Sequence, residues 1–248
     1  MIPIRNTAEI AKMRAAGKAL IEVFETVEPL VKPGITTLEI NAEIEKKIIS
    51  LGATAPCKGY CGYPAAACIS VDDVVVHGIP SLKVLTEGEI VSIDIVLKLN
   101  GYHADATRTY AVGRISPEKQ RLIDVTKRCF YNGVEKIRAG ARLGDLQHAI
   151  QMTAELAGYG VVRAMTGHGI GREMHEDPSI ENYGRAGTGP ILREGMCLAV
   201  EPMITMGDWN VEISRLDGWT CRTTDGLPAA HYENTVLVTA NGAEILTE

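Results

Sequence analysis

Acids stand where buried strands should be apolar. Asp94 interrupts the run Ile90-Val91-Ser92-Ile93 and Ile95-Val96-Leu97. An unpaired carboxylate in such a place is costly unless a cation or a cage of donors meets it. Asn100-Gly101 is a strong two-residue hairpin signal. It predicts Leu99 paired with Tyr102, Asp94 opposite Thr107, and Asp105 on the same sheet face as Asp94. Diagonal neighbours of this kind lie roughly 7–8 Å apart. Further on, Glu201 follows Met196–Val200 and precedes Pro202, while Glu233 precedes Val236-Leu237-Val238.

These positions correspond because the chain repeats itself. His77-Gly78-Ile79 recurs as His168-Gly169-Ile170, and Leu85, Glu87, Gly88 and Asp94 align at an offset of 107 with Leu192, Glu194, Gly195 and Glu201. His103 to Thr107 resembles His231 to Thr235, and Gly34, Glu39, Ile40, Ile44 and Gly52 match Gly140, Asp145, Leu146, Ile150 and Gly158. Matches in one order imply two homologous halves, about 1–114 and 115–248, packed about a pseudo-two-fold axis in one catalytic domain, 1–248. Singly, each acid or histidine is more often a structural residue than a ligand. In matched places of a duplicated chain the set favours a site.

The repeat predicts that Asp94, Asp105, Glu201 and Glu233 face one another. Four such anions cannot all stay ionised unaided. Two divalent cations would neutralise them, and carboxylates with an imidazole suit Mn, Fe, Co or Zn. His168, in the Thr166-Gly167-His168-Gly169 turn, is the natural nitrogen ligand. A two-metal site of this sort activates water for hydrolysis.

The elements that must carry these residues are legible in outline. Asn6-Thr7-Ala8-Glu9 opens a helix over Ile10, Met13, Leu20 and Phe24, and Pro33-Gly34 ends it before a second helix through Ile40, Ile44 and Ile48. In the second half a helix spans about 117–138, and another ends near Ala157. Strands are predicted at Ile90–Leu99, Tyr102–Val112, Met196–Ile204 and Tyr232–Thr239. Helices and then strands, twice over, give an α+β fold with a mainly antiparallel sheet flanked by helices.

The 248 residues are 46% hydrophobic and 23% charged, an ordinary globular balance. A net charge of −6 argues against nucleic acid or an anionic membrane as partner. There is no run of apolar residues long enough to span a bilayer, and Met1 to Gly17 has no signal-peptide core. Six cysteines in such a chain read as reduced thiols, placing it in the cytoplasm.

The motifs Gly62-Tyr63-Pro64, Val76-His77-Gly78-Ile79-Pro80, Asp94 with Asp105, Gly167-His168-Gly169-Ile170-Gly171, His175-Glu176, Glu201-Pro202-Met203, Asp217-Gly218-Trp219-Thr220 and Tyr232-Glu233 cover almost the whole chain. In this combination the sequence resembles the type I methionine aminopeptidases of metallopeptidase family M24. The resemblance implies the pita-bread fold, two divalent metal ions, and removal of initiator methionine from nascent polypeptides whose second residue is small, close to the ribosome and as a monomer. It implies Asp94, Asp105 and Glu233 as ligands of one ion, and Asp105, His168, Glu201 and Glu233 as ligands of the other. It further implies Glu201 as general base, His77 near the scissile nitrogen, and His175 as hydrogen-bond donor to the scissile carbonyl.

The asymmetric parts complete this reading. His77 stands twenty-five positions after Gly52, but His168 only ten after Gly158. That excess holds Cys57, Tyr60, Cys61, Tyr63 and Cys68, and the extra length before Glu233 holds Trp219. Cys57, Tyr60, Tyr63, Cys68 and Trp219 are expected to form the methionine pocket, where sulfur and aromatic surface suit a thioether. Cys57-x3-Cys61 with Cys68 could also read as a zinc site, but a fourth ligand is missing. Two departures from close relatives, Met174 and Asn234, bear on pocket shape and on hydrogen bonds behind Glu233. The competing readings are a proline-directed aminopeptidase of the same fold and a non-catalytic binding protein built on it.

Overall fold

The computed structural model describes residues 1–248. Four helices carry the apolar stripes: α1 (Thr7–Val27), α2 (Thr37–Ser50), α3 (Pro117–Val134) and α4 (Leu143–Leu156). The strands are β1 (Cys68–Val71), β2 (Val74–Val76), β3 (Ile90–Leu99), β4 (Tyr102–Ala111), β5 (Gly160–Val161), β6 (Gly167–Gly169) and β7 (Glu176–Ile180). They continue as β8 (Cys197–Val200), β9 (Met203–Thr205), β10 (Val211–Ile213), β11 (Cys221–Thr223), β12 (Ala229–His231), β13 (Glu233–Val238) and β14 (Ala243–Ile245).

Local chemistry fixes the helix starts. Asn6 accepts a hydrogen bond from the Glu9 amide while the Glu9 carboxylate accepts one from the Asn6 amide, closing a capping box. Thr36 and Glu39 repeat the device at α2, and Ser116 with Pro117 opens α3. Helix α3 stops at Val134, short of the 138 expected, because the chain tightens: the Lys136 and Ile137 amides bond the carbonyls of Gly133 and Val134.

The main sheet has the order β1-β3-β4-β13-β8-β6-β7, with β14 beside β13, and every pair in it is antiparallel. Two three-stranded sheets, β10-β11-β2 and β12-β9-β5, lie beside it. Asn100 and Gly101 have φ of 53° and 83°, the positive pair that their tight turn needs, and the register follows: Leu99 meets Tyr102 and Asp94 meets Thr107. The predicted strand Met196–Ile204 is two strands instead, β8 and β9, broken at Glu201-Pro202. Pro202 has no amide proton to continue a ladder.

Side-chain alternation sorts the sheet into two faces. Val91, Ile93, Ile95 and Leu97 of β3 join Leu20, Val23, Ile40, Ile44 and Ile48 in a core under α1 and α2. Leu198, Val200, Val236 and Val238 join Leu122, Val125, Phe130, Leu146 and Ile150 under α3 and α4. Full burial of each such side chain contributes about 1.5–3 kcal/mol. The residues between them in sequence, Asp94, Asp105 and Glu233, point to the opposite face, and Glu201 joins them just beyond β8.

Candidate metal centre

The four acids converge from three main-sheet strands and the break after a fourth. Asp94 lies on β3, Asp105 on β4, Glu233 at the start of β13 and Glu201 just past β8. Threonines hold the two central ones. The Asp105 amide donates to Thr235 Oγ1 at 2.9 Å, and that hydroxyl donates back to the Asp105 carbonyl at 2.9 Å. The Thr107 hydroxyl donates to Glu233 Oε2 at 2.9 Å. Asn182 holds the main chain of Glu201, donating to its carbonyl at 3.0 Å. Behind the centre, Arg108 reaches the Glu233 carbonyl at 2.6 Å and Asn234 Oδ1 at 2.7 Å.

Burial is the first cause that pushes all four acids upward. Asp94 rises to about 7, and Asp105, Glu201 and Glu233 are pushed well above the usual carboxylate range, with the charges of neighbouring acids as the next cause. Asp105 Oδ1 and Glu233 Oε1 are buried with no hydrogen-bond partner. His168 supplies the nitrogen. Its Nδ1 donates to the Gly169 carbonyl at 2.9 Å, so Nε2 keeps a free lone pair. That Nε2 faces Glu201 Oε1 at 3.5 Å and Asp105 Oδ2 at 3.8 Å, and burial draws the imidazole down to about 4, so it stays neutral. Orphaned carboxylate oxygens, mutual repulsion and a bare neutral imidazole are what divalent cations require of a binding site.

The acids form the floor of a cavity of about 680 Å³, and all the site residues expected from the sequence line it: Asp94, Asp105, His168, Glu201, Glu233, His77, His175, Cys57, Tyr60, Tyr63, Cys68 and Trp219. An adjoining wall is built around Trp219, with Cys68 directly across the β1–β3 ladder from Asp94. Its ring meets Tyr63 edge-on at 5.2 Å and His77 edge-on at 5.9 Å. Asp217 accepts from the Trp219 and Thr220 amides at 2.8 and 2.9 Å, which sets the turn that presents the indole. The Tyr63 hydroxyl donates to the Gly78 carbonyl at 3.0 Å. Burial pushes the Cys57 and Cys68 thiols well up, so both are neutral sulfur surface. Met174 is buried and lines the same space.

The two other histidines are held from outside the acid cluster. His77 has φ of 59°, a left-handed conformation that costs a non-glycine residue about 1–3 kcal/mol. It is trapped there because Gly78 is pressed against β1, where any side chain would strike the Ile69 carbonyl. His175 stands beside His168, ring centroids 4.4 Å apart, and its Nδ1 lies 3.0 Å from the Tyr60 hydroxyl.

One histidine of the cavity escaped the sequence reading. His231, on β12, is 2% exposed and points its Nε2 at Glu201 Oε2 from 3.6 Å. The available signal was its place two residues before Glu233, which alternation puts on the same side.

A sequence profile of metallopeptidase family M24 matches residues 11–240. The chain is 51% identical to a methionine aminopeptidase of Clostridium acetobutylicum over 248 residues, covering 100% of this chain and 99% of that one. The chain belongs to metallopeptidase family M24. Among solved M24 structures, a methionine aminopeptidase from Rickettsia prowazekii superposes with a TM-score of 0.99 at 45% identity, and each chain is covered completely. A prolidase from Pyrococcus furiosus superposes with a TM-score of 0.80 at 25% identity, and this chain spans 65% of that one. The pita-bread architecture expected from the motifs is therefore the M24 fold seen here.

Proposed function

We propose that this M24 enzyme removes N-terminal methionine from peptides and nascent polypeptides whose second residue is small. The observation that carries the proposal is a buried cluster of four carboxylates and a bare imidazole beside a wall of thiols and aromatic rings. Asp94, Asp105 and Glu233 would hold one divalent ion, and Asp105, His168, Glu201 and Glu233 the other, from among Mn, Fe, Co and Zn. When bound, such ions supply Lewis acidity and bring the pKa of a coordinated water toward neutrality.

The protein's own groups do the rest. Glu201 is the general base, taking a proton from the attacking water and passing it to the leaving amine. His175, held by Tyr60 at Nδ1, presents Nε2–H to the carbonyl oxygen as negative charge develops there, a role that needs a donor fixed in advance. His77 faces the scissile nitrogen. Cys57, Tyr60, Tyr63, Cys68 and Trp219 receive the unbranched thioether, and the acids leave room for a free amine at the substrate's end. We assign its action to a monomer in the cytoplasm, close to the ribosome. Free thiols at all six cysteines suit a reducing compartment, and no helix is long and apolar enough to cross a membrane.

A panel of Met-Ala, Met-Lys, acetyl-Met-Ala and Ala-Pro peptides tests the proposal, each with Mn²⁺ and with a chelator. Met-Ala alone should be cut well, and chelation should stop it. Preference for Ala-Pro would move the chain to the proline-directed side of the family. Full activity in a metal-free preparation would end the metal-dependent reading.

A further inference from the structure

Glu201 lies between two imidazoles. Its Oε1 is 3.5 Å from His168 Nε2 and its Oε2 is 3.6 Å from His231 Nε2. The two rings are prepared differently. His168 anchors its Nδ1–H on a backbone carbonyl, which is how a metal-ligating histidine is oriented. The hydrogen bonds of His231 are all made by its main chain, and its Nε2 is buried without a partner. Leaving such a group unmatched is costly.

That main chain is tied down. The His231 amide donates to Thr109 Oγ1 at 3.0 Å, and the same hydroxyl donates to the His231 carbonyl at 2.8 Å. With its only proton used there, Thr109 accepts from the Ser92 hydroxyl, 2.7 Å away. The imidazole is thus carried on a fixed stem and faces a carboxylate oxygen, which in its ionised form can only accept.

We infer that His231 is a positioning residue: its Nε2–H donates to Glu201 Oε2 and so aims the other carboxylate oxygen into the cavity. Closing 3.6 Å to hydrogen-bond length takes a rotation of well under 1 Å at the ring edge. The two imidazoles then have opposite tautomers, one bare at Nε2 toward a cation and one protonated at Nε2 toward the base. The inference rests on Glu201 being the base, as proposed above. Hydrolysis of Met-Ala by the unmodified protein tests that reading, and only the comparison among variants tests His231.

The experiment uses His231→Ala and His231→Gln, each assayed on Met-Ala with Mn²⁺ and each titrated with Mn²⁺ by calorimetry after metal removal. His231→Ala should lower kcat by about tenfold to a hundredfold, the scale of a misaimed reacting group, with KM little changed. His231→Gln, which keeps an N–H donor, should recover most of that loss. Mn²⁺ stoichiometry should match the parent in both, with affinity lowered by no more than about a hundredfold in His231→Ala and largely restored in His231→Gln. Parental kcat in His231→Ala overturns the inference, and so does loss of Mn²⁺, which would make His231 a ligand. Should the alanine variant not fold, ¹⁵N NMR of the parent still decides: a proton on His231 Nε2 supports the donor role, and one on Nδ1 overturns it.

Discussion

His175 reaches the cavity on a short segment between β6 and β7, and its Nδ1 is engaged by Tyr60. On the proposed reading, a donor in that position acts on substrate and leaves the acid cluster alone. His175→Ala should therefore lower kcat by about a hundredfold or more, with bound Mn²⁺ unchanged by elemental analysis. Loss of an ion in that variant would show that the ring serves the metals instead. Much at this scale was legible beforehand. An acid in an apolar strand has few explanations, and the repeat multiplied Asp94 and Asp105 into a set with Glu201 and Glu233. The repeat pairs His231 with His103, but the pairing does not say which of the two faces the acids: His103 bonds the Gly171 carbonyl through Nδ1 at 3.0 Å.

Among the elements, α1 is secured at its first turn by one side chain. Glu9 caps Asn6, accepts from the Tyr102 hydroxyl at 2.7 Å and meets Arg172 at 2.9 Å. The Asn6 amide, then Tyr102 and Arg172, hold its carboxyl down at about 2. A depressed acid stabilises the fold above its ordinary pKa, and that contribution is lost as pH falls toward 2. Glu9→Gln should melt lower than the parent at pH 6–7, and the two should converge by about pH 2 in thermal scans. A constant gap across that range would assign the effect to packing. The β3–β4 hairpin was readable to the residue, since Asn-Gly dictates its own turn and hence its register. The break at Glu201-Pro202 was underread: proline marked it, but the apolar run on either side looked continuous. The three-residue strands β2, β9, β10, β11 and β12 carry too little pattern to announce themselves, and their pairing is decided by what they pack against.

For the molecule as a whole, the acid cluster sets a pH dependence of the opposite sense to that of Glu9. Carboxyls held above their ordinary values favour the fold below about pH 4 and weigh against it as pH rises through the raised values, Asp94's near 7 among them. Divalent cations relieve that repulsion, and their binding releases protons. Mn²⁺ should therefore raise the melting temperature of the metal-free protein more at pH 7.5 than at pH 5.5. At a hundred times Kd the gain is about 2.7 kcal/mol per site, or roughly 5–10 °C. An equal or larger shift at pH 5.5 would contradict the repulsion described.

The centre is also divided along the chain. Thr107 serves Glu233, Thr235 serves Asp105, Arg108 bonds the Thr247 carbonyl, and Arg5 pairs with Glu176, all between residues more than 120 apart. Loops of that length must close before any of these bonds forms, and folds dominated by such contacts are slow to assemble. Each half can gather its own helices and strands early, but neither contains all four acids, and the threonine that seats each half's central acid comes from the other half. Maturation of the enzyme is thus bound to the last docking event in folding. On the proposed ligand set, a partly folded chain with native-looking helices has no complete site to take up metal, and so no opportunity to hydrolyse anything prematurely.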